Sequence, residues 1–147
     1  MSMDKQWLNS MMAYCSRSEH CVFDVMEKLS AAAVSEDDAN EIVQELIRLG
    51  YIDELRYARA FVNDKFRFNK WGKIKIAHVL RQKKVASNVI QEALDTIDDE
   101  AYNQVLMQLI ESKKKTTKAT ATQQRAAVMR FALSRGFEYE TIMRLLR

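Results

Sequence analysis

Lys65, Arg67, Lys70, Lys73, Lys75, Arg81, Lys83 and Lys84 follow one another with no Asp or Glu anywhere between Lys65 and Gln91, and Phe66, Phe68 and Trp71 stand among them. Cationic groups at this density hold phosphates or carboxylates, and rings interleaved with them offer faces on which bases or partner side chains stack. A solvated helix face backed by core aromatics would use the same residue types. Because no carboxylate balances the set, it points instead to a polyanionic or acidic partner. The other chemically capable residues are sparser. Cys15, His20 and Cys21 lie close in sequence, but a zinc site needs about four ligands and the second histidine, His78, is far away. Two reduced thiols beside a helical core are therefore expected, with no metal. Asp37-Asp38 and Asp98-Asp99-Glu100 stand where helices begin, so capping and the helix dipole account for them. No Gly-x-x-x-x-Gly-Lys loop, His-Glu-x-x-His helix or Gly-x-Ser-x-Gly elbow is present. A non-enzymatic protein without a cofactor is the expectation.

The elements that must position the basic set are helices. The chain has 147 residues, 48% apolar, with three Gly and no Pro, and hairpins need more residues that supply positive or fixed φ. No uncharged apolar run approaches the roughly 20 residues of a membrane span, and the N-terminus lacks a signal-like apolar region, so a cytoplasmic protein is expected. The net charge of +3 hides a segregation: residues 19–54 carry −8, 55–91 carry +9, 92–100 carry −5 and 101–137 carry +6.

Apolar spacing predicts the helices one by one. Val22, Val25, Met26 and Leu29 form the first stripe, carried on by Ala31 to Ala33. Ser35 caps a helix burying Ala39, Ile42, Val43, Leu46 and Leu49, which ends at Gly50. Asp53 caps the next, with Tyr57, Ala58, Phe61, Val62 and Phe66 inward. After a break at 69–72 come Ile76, Ala77, Val79 and Leu80, then a short helix capped by Ser87 with Ile90, Ala93, Leu94 and Ile97. Asp98 opens a helix with Tyr102, Val105, Leu106, Leu109 and Ile110. The polar stretch 113–122 reads as a loop. Ala126, Ala127, Met129, Phe131 and Leu133 form a helix ending at Gly136, and Ile142, Leu145 and Leu146 a last one.

These segments repeat. Leu80, Val85, Ile90 and Leu94 have the spacing of Ala132, Phe137, Ile142 and Leu146, and Leu29, Val34, Ile42 and Leu46 match with three residues inserted. The anchors Val34, Val85 and Phe137 are 51 and 52 residues apart. Such a period predicts an all-α protein of three tandem three-helix units, spanning 1–52, 53–97 and 98–147, each covering its neighbour's apolar face.

The run from Leu49 through Gly50-Tyr51-Ile52-Asp53-Glu54-Leu55-Arg56-Tyr57-Ala58-Arg59-Ala60-Phe61-Val62, continued by Trp71-Gly72-Lys73-Ile74-Lys75-Ile76 and Leu80-Arg81-Gln82-Lys83-Lys84-Val85, resembles the RecX family of bacterial recombination regulators. Ser134-Arg135-Gly136-Phe137 with Tyr139 resembles the same family's Arg-Gly-Phe motif. Glu54 stands where many members have Asp, Lys84 where the unit often carries Gly, and Ser134 where a second Arg is usual. The resemblance implies an elongated, curved array of three-helix units. It also implies a modulator that binds the RecA recombinase filament on DNA, lies along its groove and alters ATP hydrolysis, strand exchange and repressor co-cleavage, usually by inhibition. A direct DNA-binding module, for single- or double-stranded DNA, is the alternative, and a monomer is expected. On the matching motifs, Gly50, Tyr51, Asp53, Tyr57, Ala58, Phe61, Gly72, Gly136 and Phe137 fall to the scaffold. Arg56, Arg59, Lys65, Arg67, Lys70, Lys73, Lys75, Arg81, Lys83, Lys84 and Arg135 fall to partner or DNA contact, with Lys113, Lys114, Lys115 and Lys118 as an extension.

Overall fold

The computed structural model describes residues 4–147, and all regular structure among them is α-helical. The helices are α1 (Lys5–Arg17), α2 (Val22–Ala31), α3 (Glu36–Arg48), α4 (Glu54–Arg67), α5 (Lys73–Gln82), α6 (Ser87–Leu94), α7 (Asp99–Thr116), α8 (Ala121–Ser134) and α9 (Tyr139–Leu146). They pack in threes: α3 against α1 and α2, α4 against α5 and α6, and α7 against α8 and α9. This is a helical repeat array. Caps fix the starts. The carboxylates of Asp4, Asp53 and Asp98 and the hydroxyls of Ser35 and Thr120 accept from the first-turn N–H groups that have no intrahelical partner.

The period is written in the backbone. Each middle helix of the first two units, and α8 in the third, ends with a left-handed residue: Ala33 at φ 62°, Lys84 at 61° and Gly136 at 94°. The next residue is the repeat anchor, whose N–H returns to the carbonyl five positions back: Val34 to Leu29 at 3.0 Å, Val85 to Leu80 at 3.1 Å and Phe137 to Ala132 at 3.2 Å. This is the Schellman closure, and it aims the anchor side chain back at the helix it follows. Only the third unit has Gly at the left-handed position. Ala33→Gly should therefore raise stability by about 0.5–1 kcal/mol, the left-handed penalty of a Cβ less the greater unfolded freedom of glycine. Thermal unfolding should show an upward shift of a few degrees at most.

Two cores result. Met11, Cys15, Val25, Leu29, Ala39, Ile42, Val43, Leu46 and Ile52 fill the first unit, whereas a second core runs unbroken from α4 to α9 and reaches back to Cys21. The first and second units are therefore joined by polar side chains as well as by packing. Lys83 Nζ donates to Asp24 Oδ1 at 2.6 Å, Arg56 Nε to Glu19 Oε2 at 2.7 Å, and the N–H of Val22 to Glu54 Oε1 at 3.1 Å.

Several sequence expectations are corrected. Leu49 is exposed rather than inward because α3 ends in a turn that swings it off the stripe. Val79, Val105 and Phe61 flank their stripes and are half-buried. Ala32 and Ala33 form the turn after α2 instead of continuing it, and the residue capping α6 is Ala86, with Ser87 already helical. Residues 113–116 are helical, not loop, since α7 runs to Thr116 with three lysines at its C-terminal end, where the dipole favours cations. In α8 the buried positions are Val128 and Ala132, while Met129 and Phe131 are half-buried and Leu133 is exposed. The alanines there made the apolar frame ambiguous by one position.

Candidate partner-binding face

The basic set is organised around the corner between α4 and α5. There, Trp71 lies between two ammonium groups, Lys65 Nζ at 5.0 Å and Lys75 Nζ at 4.6 Å from its ring centroid. Lys65 also lies 5.5 Å from the Phe61 centroid, and Phe61 meets Trp71 edge-on at 6.4 Å. Lys73 Nζ is 4.9 Å from the ring of Tyr102. These rings fix the ammonium groups while leaving the lysines partly open to solvent. The first turn of α5 carries Lys73 and Lys75 and no acid, although the dipole at a helix N-terminus favours negative charge.

Below this corner the second and third units interlock through backbone. The N–H of Gly72 donates to the carbonyl of Arg135 at 2.7 Å and that of Ile74 to the carbonyl of Gly136 at 3.0 Å. The start of α5 thus receives the end of α8, and opposite dipole ends meet. Lys73 N–H donates to the Tyr102 hydroxyl at 2.9 Å, and that hydroxyl donates to Glu138 Oε1 at 2.6 Å. Burial pushes the Tyr102 phenol upward and the bond to Glu138 adds to it, so it stays a donor. Tyr102 is legible in the sequence as a core ring, but nothing there signals this relay, whose members are 29 and 36 residues apart.

The structure divides the cations named from sequence. Arg56, Lys83 and Arg135 are engaged within the chain. Arg56 holds Glu19 and the carbonyl of Gly50, at 3.0 Å. Lys83 holds Asp24 and covers Phe23, and Arg135 donates to the carbonyl of Asn69 at 3.2 Å. Arg59, Arg67, Arg81 and Lys84 are exposed, and among the described residues no carboxylate pairs with them or with Lys65, Lys70, Lys73 or Lys75. Of the proposed extension, Lys114 pairs with Glu111 at 3.6 Å and Lys113 covers Phe131.

Lys83→Ala tests the bracing role. Burial raises the Asp24 carboxyl, but the hydrogen bond and charge of Lys83 outweigh it and hold the group below its ordinary range. A depressed folded pKa contributes stability that is complete above the unfolded carboxylate range and is lost as pH falls through the folded value. The variant should lose about 1–2 kcal/mol at pH 7, a broken pair discounted for its partial exposure. In urea unfolding, that gap should narrow on acidification.

Chemistry elsewhere is quiet. Ser18 Oγ lies 3.0 Å from His20 Nε2 and His20 Nδ1 lies 3.6 Å from Asp24 Oδ2. The order is that of a Ser-His-Asp relay, but the second distance is beyond a hydrogen bond and Asp24 is committed to Lys83. Cys15 and Cys21 are free and buried, and desolvation pushes the Cys21 thiol up to about 11, far from a reactive thiolate. Among the described residues no group of three or more His, Cys, Asp or Glu could hold a metal, and no helix is long and apolar enough to cross a membrane.

Comparison with known proteins agrees with this architecture. Residues 53–94 match the family model for the second three-helix domain of RecX, and residues 100–146 the model for its third. Regulatory protein RecX of Lactobacillus johnsonii is 33% identical over 109 residues, 74% of this chain and 40% of the relative. The chain thus spans about two fifths of that relative's length. The regulatory protein RecX of Prosthecochloris aestuarii is 28% identical over 139 residues, covering 95% of this chain and 90% of the relative. The crystal structure of RecX from Lactobacillus salivarius superposes with a TM-score of 0.86 at 22% identity, covering 97% of this chain and 93% of that one. A further crystal structure of a regulatory protein RecX gives 0.90 at 20% identity, and both establish the fold.

Proposed function

Since the chain belongs to the RecX family of regulatory proteins, we propose that it binds the RecA filament on DNA and restrains its ATP hydrolysis, strand exchange and co-protease function. The observation that carries this reading is the set of cations around the α4–α5 corner. Rings hold several of them in place, and among the described residues no carboxylate neutralises them. A face built so is preorganised for an acidic or phosphate-bearing surface, because the ammonium groups lose little further freedom on binding. Three units, 1–52, 53–97 and 98–147, engaging one filament would multiply modest contacts into stable association.

The test adds purified protein to RecA on single-stranded DNA and follows ATP hydrolysis, beside binding to the same DNA without RecA. Hydrolysis should fall at concentrations well below those that coat bare DNA. Unchanged hydrolysis would overturn the reading. A fall that merely tracks bare-DNA binding, with a steep salt dependence, would favour the phosphate backbone as the ligand.

A further inference from the structure

Two features of the surface are unused by this reading. One is Phe68, the cap residue at the end of α4, which is 77% exposed and the most exposed of the large apolar side chains described. It stands between Arg67 and, two residues on, Lys70, neither of which has a carboxylate partner. The other is a cavity of about 440 Å³ between the first and second units. Val22, Phe23, Met26 and Val34 give it an apolar interior, and Glu27, Glu36 and Glu54 add carboxylates to its lining. Its size falls within the roughly 300–1,000 Å³ of sites that take small ligands, ample for a phenyl ring. Of the two lysines on its wall, Lys83 is neutralised by Asp24 and Lys84 alone is unpaired. Glu54 Oε2 is buried there without a hydrogen-bond partner.

We infer that copies of this chain dock head to tail, Phe68 of one inserting into the cavity between the first and second units of the next. The shapes match as an exposed ring meeting an apolar cavity, and the charges match as Arg67 and Lys70 facing Glu27 and Glu36. The two halves cannot meet within one molecule. Glu54 is the first residue of α4 and Phe68 follows its last, so 14 helical residues at about 1.5 Å each hold them roughly 20 Å apart. A contact between different patches at opposite ends of one rigid helix is heterologous, and where its rotation does not close, repetition gives an open row. The occupant is a second copy, because knob and cavity carry opposite charge on the same chain.

Sedimentation analysis across a concentration series up to millimolar tests this. The wild-type mass should rise with concentration without a plateau at two copies, and added salt should reverse the rise. Phe68→Asp, which loses the knob, and Glu27→Lys with Glu36→Lys, which reverses charges at the cavity, should each stay at the mass of one chain. Mixed one to one they should form pairs and nothing longer, since the second variant's Phe68 can enter the first variant's intact cavity. Arg67→Glu with Lys70→Glu provides a second knob-side variant should the cavity variant lose its helical circular dichroism. It should stay at the mass of one chain alone and, in excess, shorten the rows of the wild type, whose Phe68 its intact cavity still accepts. A wild-type protein that stays at one chain throughout would overturn the inference, as would a Phe68→Asp variant that associates like the wild type or a mixture that forms no pairs.

Discussion

Gly72→Ala should lose about 2–4 kcal/mol of stability, the cost of forcing an atom into a packed interior that cannot give way. A Cβ on Gly72 runs into the carbonyl carbon and oxygen of Gly136 and the nitrogen of Phe137. All three are backbone atoms in the turn that accepts the N–H groups of Gly72 and Ile74. No rotamer change relieves the contact, so the start of α5 must separate from the end of α8 and open the path to Phe137 and Tyr102 in the shared core. The comparison that isolates the cause is Gly50→Ala. Gly50 has φ 83° but nothing within 4 Å of a new Cβ, so its loss should be only the left-handed penalty less the greater unfolded freedom of glycine, about 0.5–1 kcal/mol. Gly136 combines both conditions, a φ of 94° and a collision with Lys75, and its alanine variant should be the worst of the three. Urea unfolding of the set measures this. Equal losses for Gly50→Ala and Gly72→Ala would mean that close approach between the units is not what Gly72 provides.

Much of this junction was legible in the sequence as positions but not as contacts. Gly72 and Gly136 stand out because only three glycines occur in 147 residues. A glycine in a helix break reads as a turn, however, and nothing in either segment says that the two turns touch across 64 residues. Helix identity was legible because apolar spacing and caps are local. Ser35, Asp53 and Asp98 each cap the helix they precede, with side chain and first-turn N–H three residues apart. The repeat was legible through Val34, Val85 and Phe137 because each anchor follows a helix end that closes the same way. The reading failed where local signals were weak. Alanines blurred the frame of α8, and lysines at the end of α7 looked like linker though their charge suits a helix C-terminus. Along the chain, basic residues of different roles look alike. Arg56, Lys83 and Arg135 are braces because Glu19, Asp24 and the carbonyl of Asn69 are brought to them from 37, 59 and 66 residues away, which no pattern along the chain reveals.

That division makes the second large effect a separation of stability from regulation. If the chain restrains RecA ATP hydrolysis as proposed, Arg59→Glu with Arg81→Glu should raise the concentration needed by about tenfold to a hundredfold, each reversed charge at a charged interface being worth on the order of 1 kcal/mol or more. Both side chains are exposed, and among the described residues no carboxylate pairs with them, so the unfolding free energy should stay within about 0.5 kcal/mol of wild type. Arg56→Ala should behave in the opposite way. It frees Glu19 and the carbonyl of Gly50 at the seam between the first two units, so stability should drop by about 1–2 kcal/mol through lost charged hydrogen bonds. Regulation should then weaken only as far as the fraction of folded protein does. The two outcomes differ in what rescues them. Lowering temperature or adding a stabilising osmolyte should restore Arg56→Ala, because the proposed contact face is intact once folded. Neither should help the double reversal, whose fold was never impaired. If both variants lost regulation alike and neither could be rescued, Arg56 would belong with the contact residues, and its bond to Glu19 would have to open when the filament is bound.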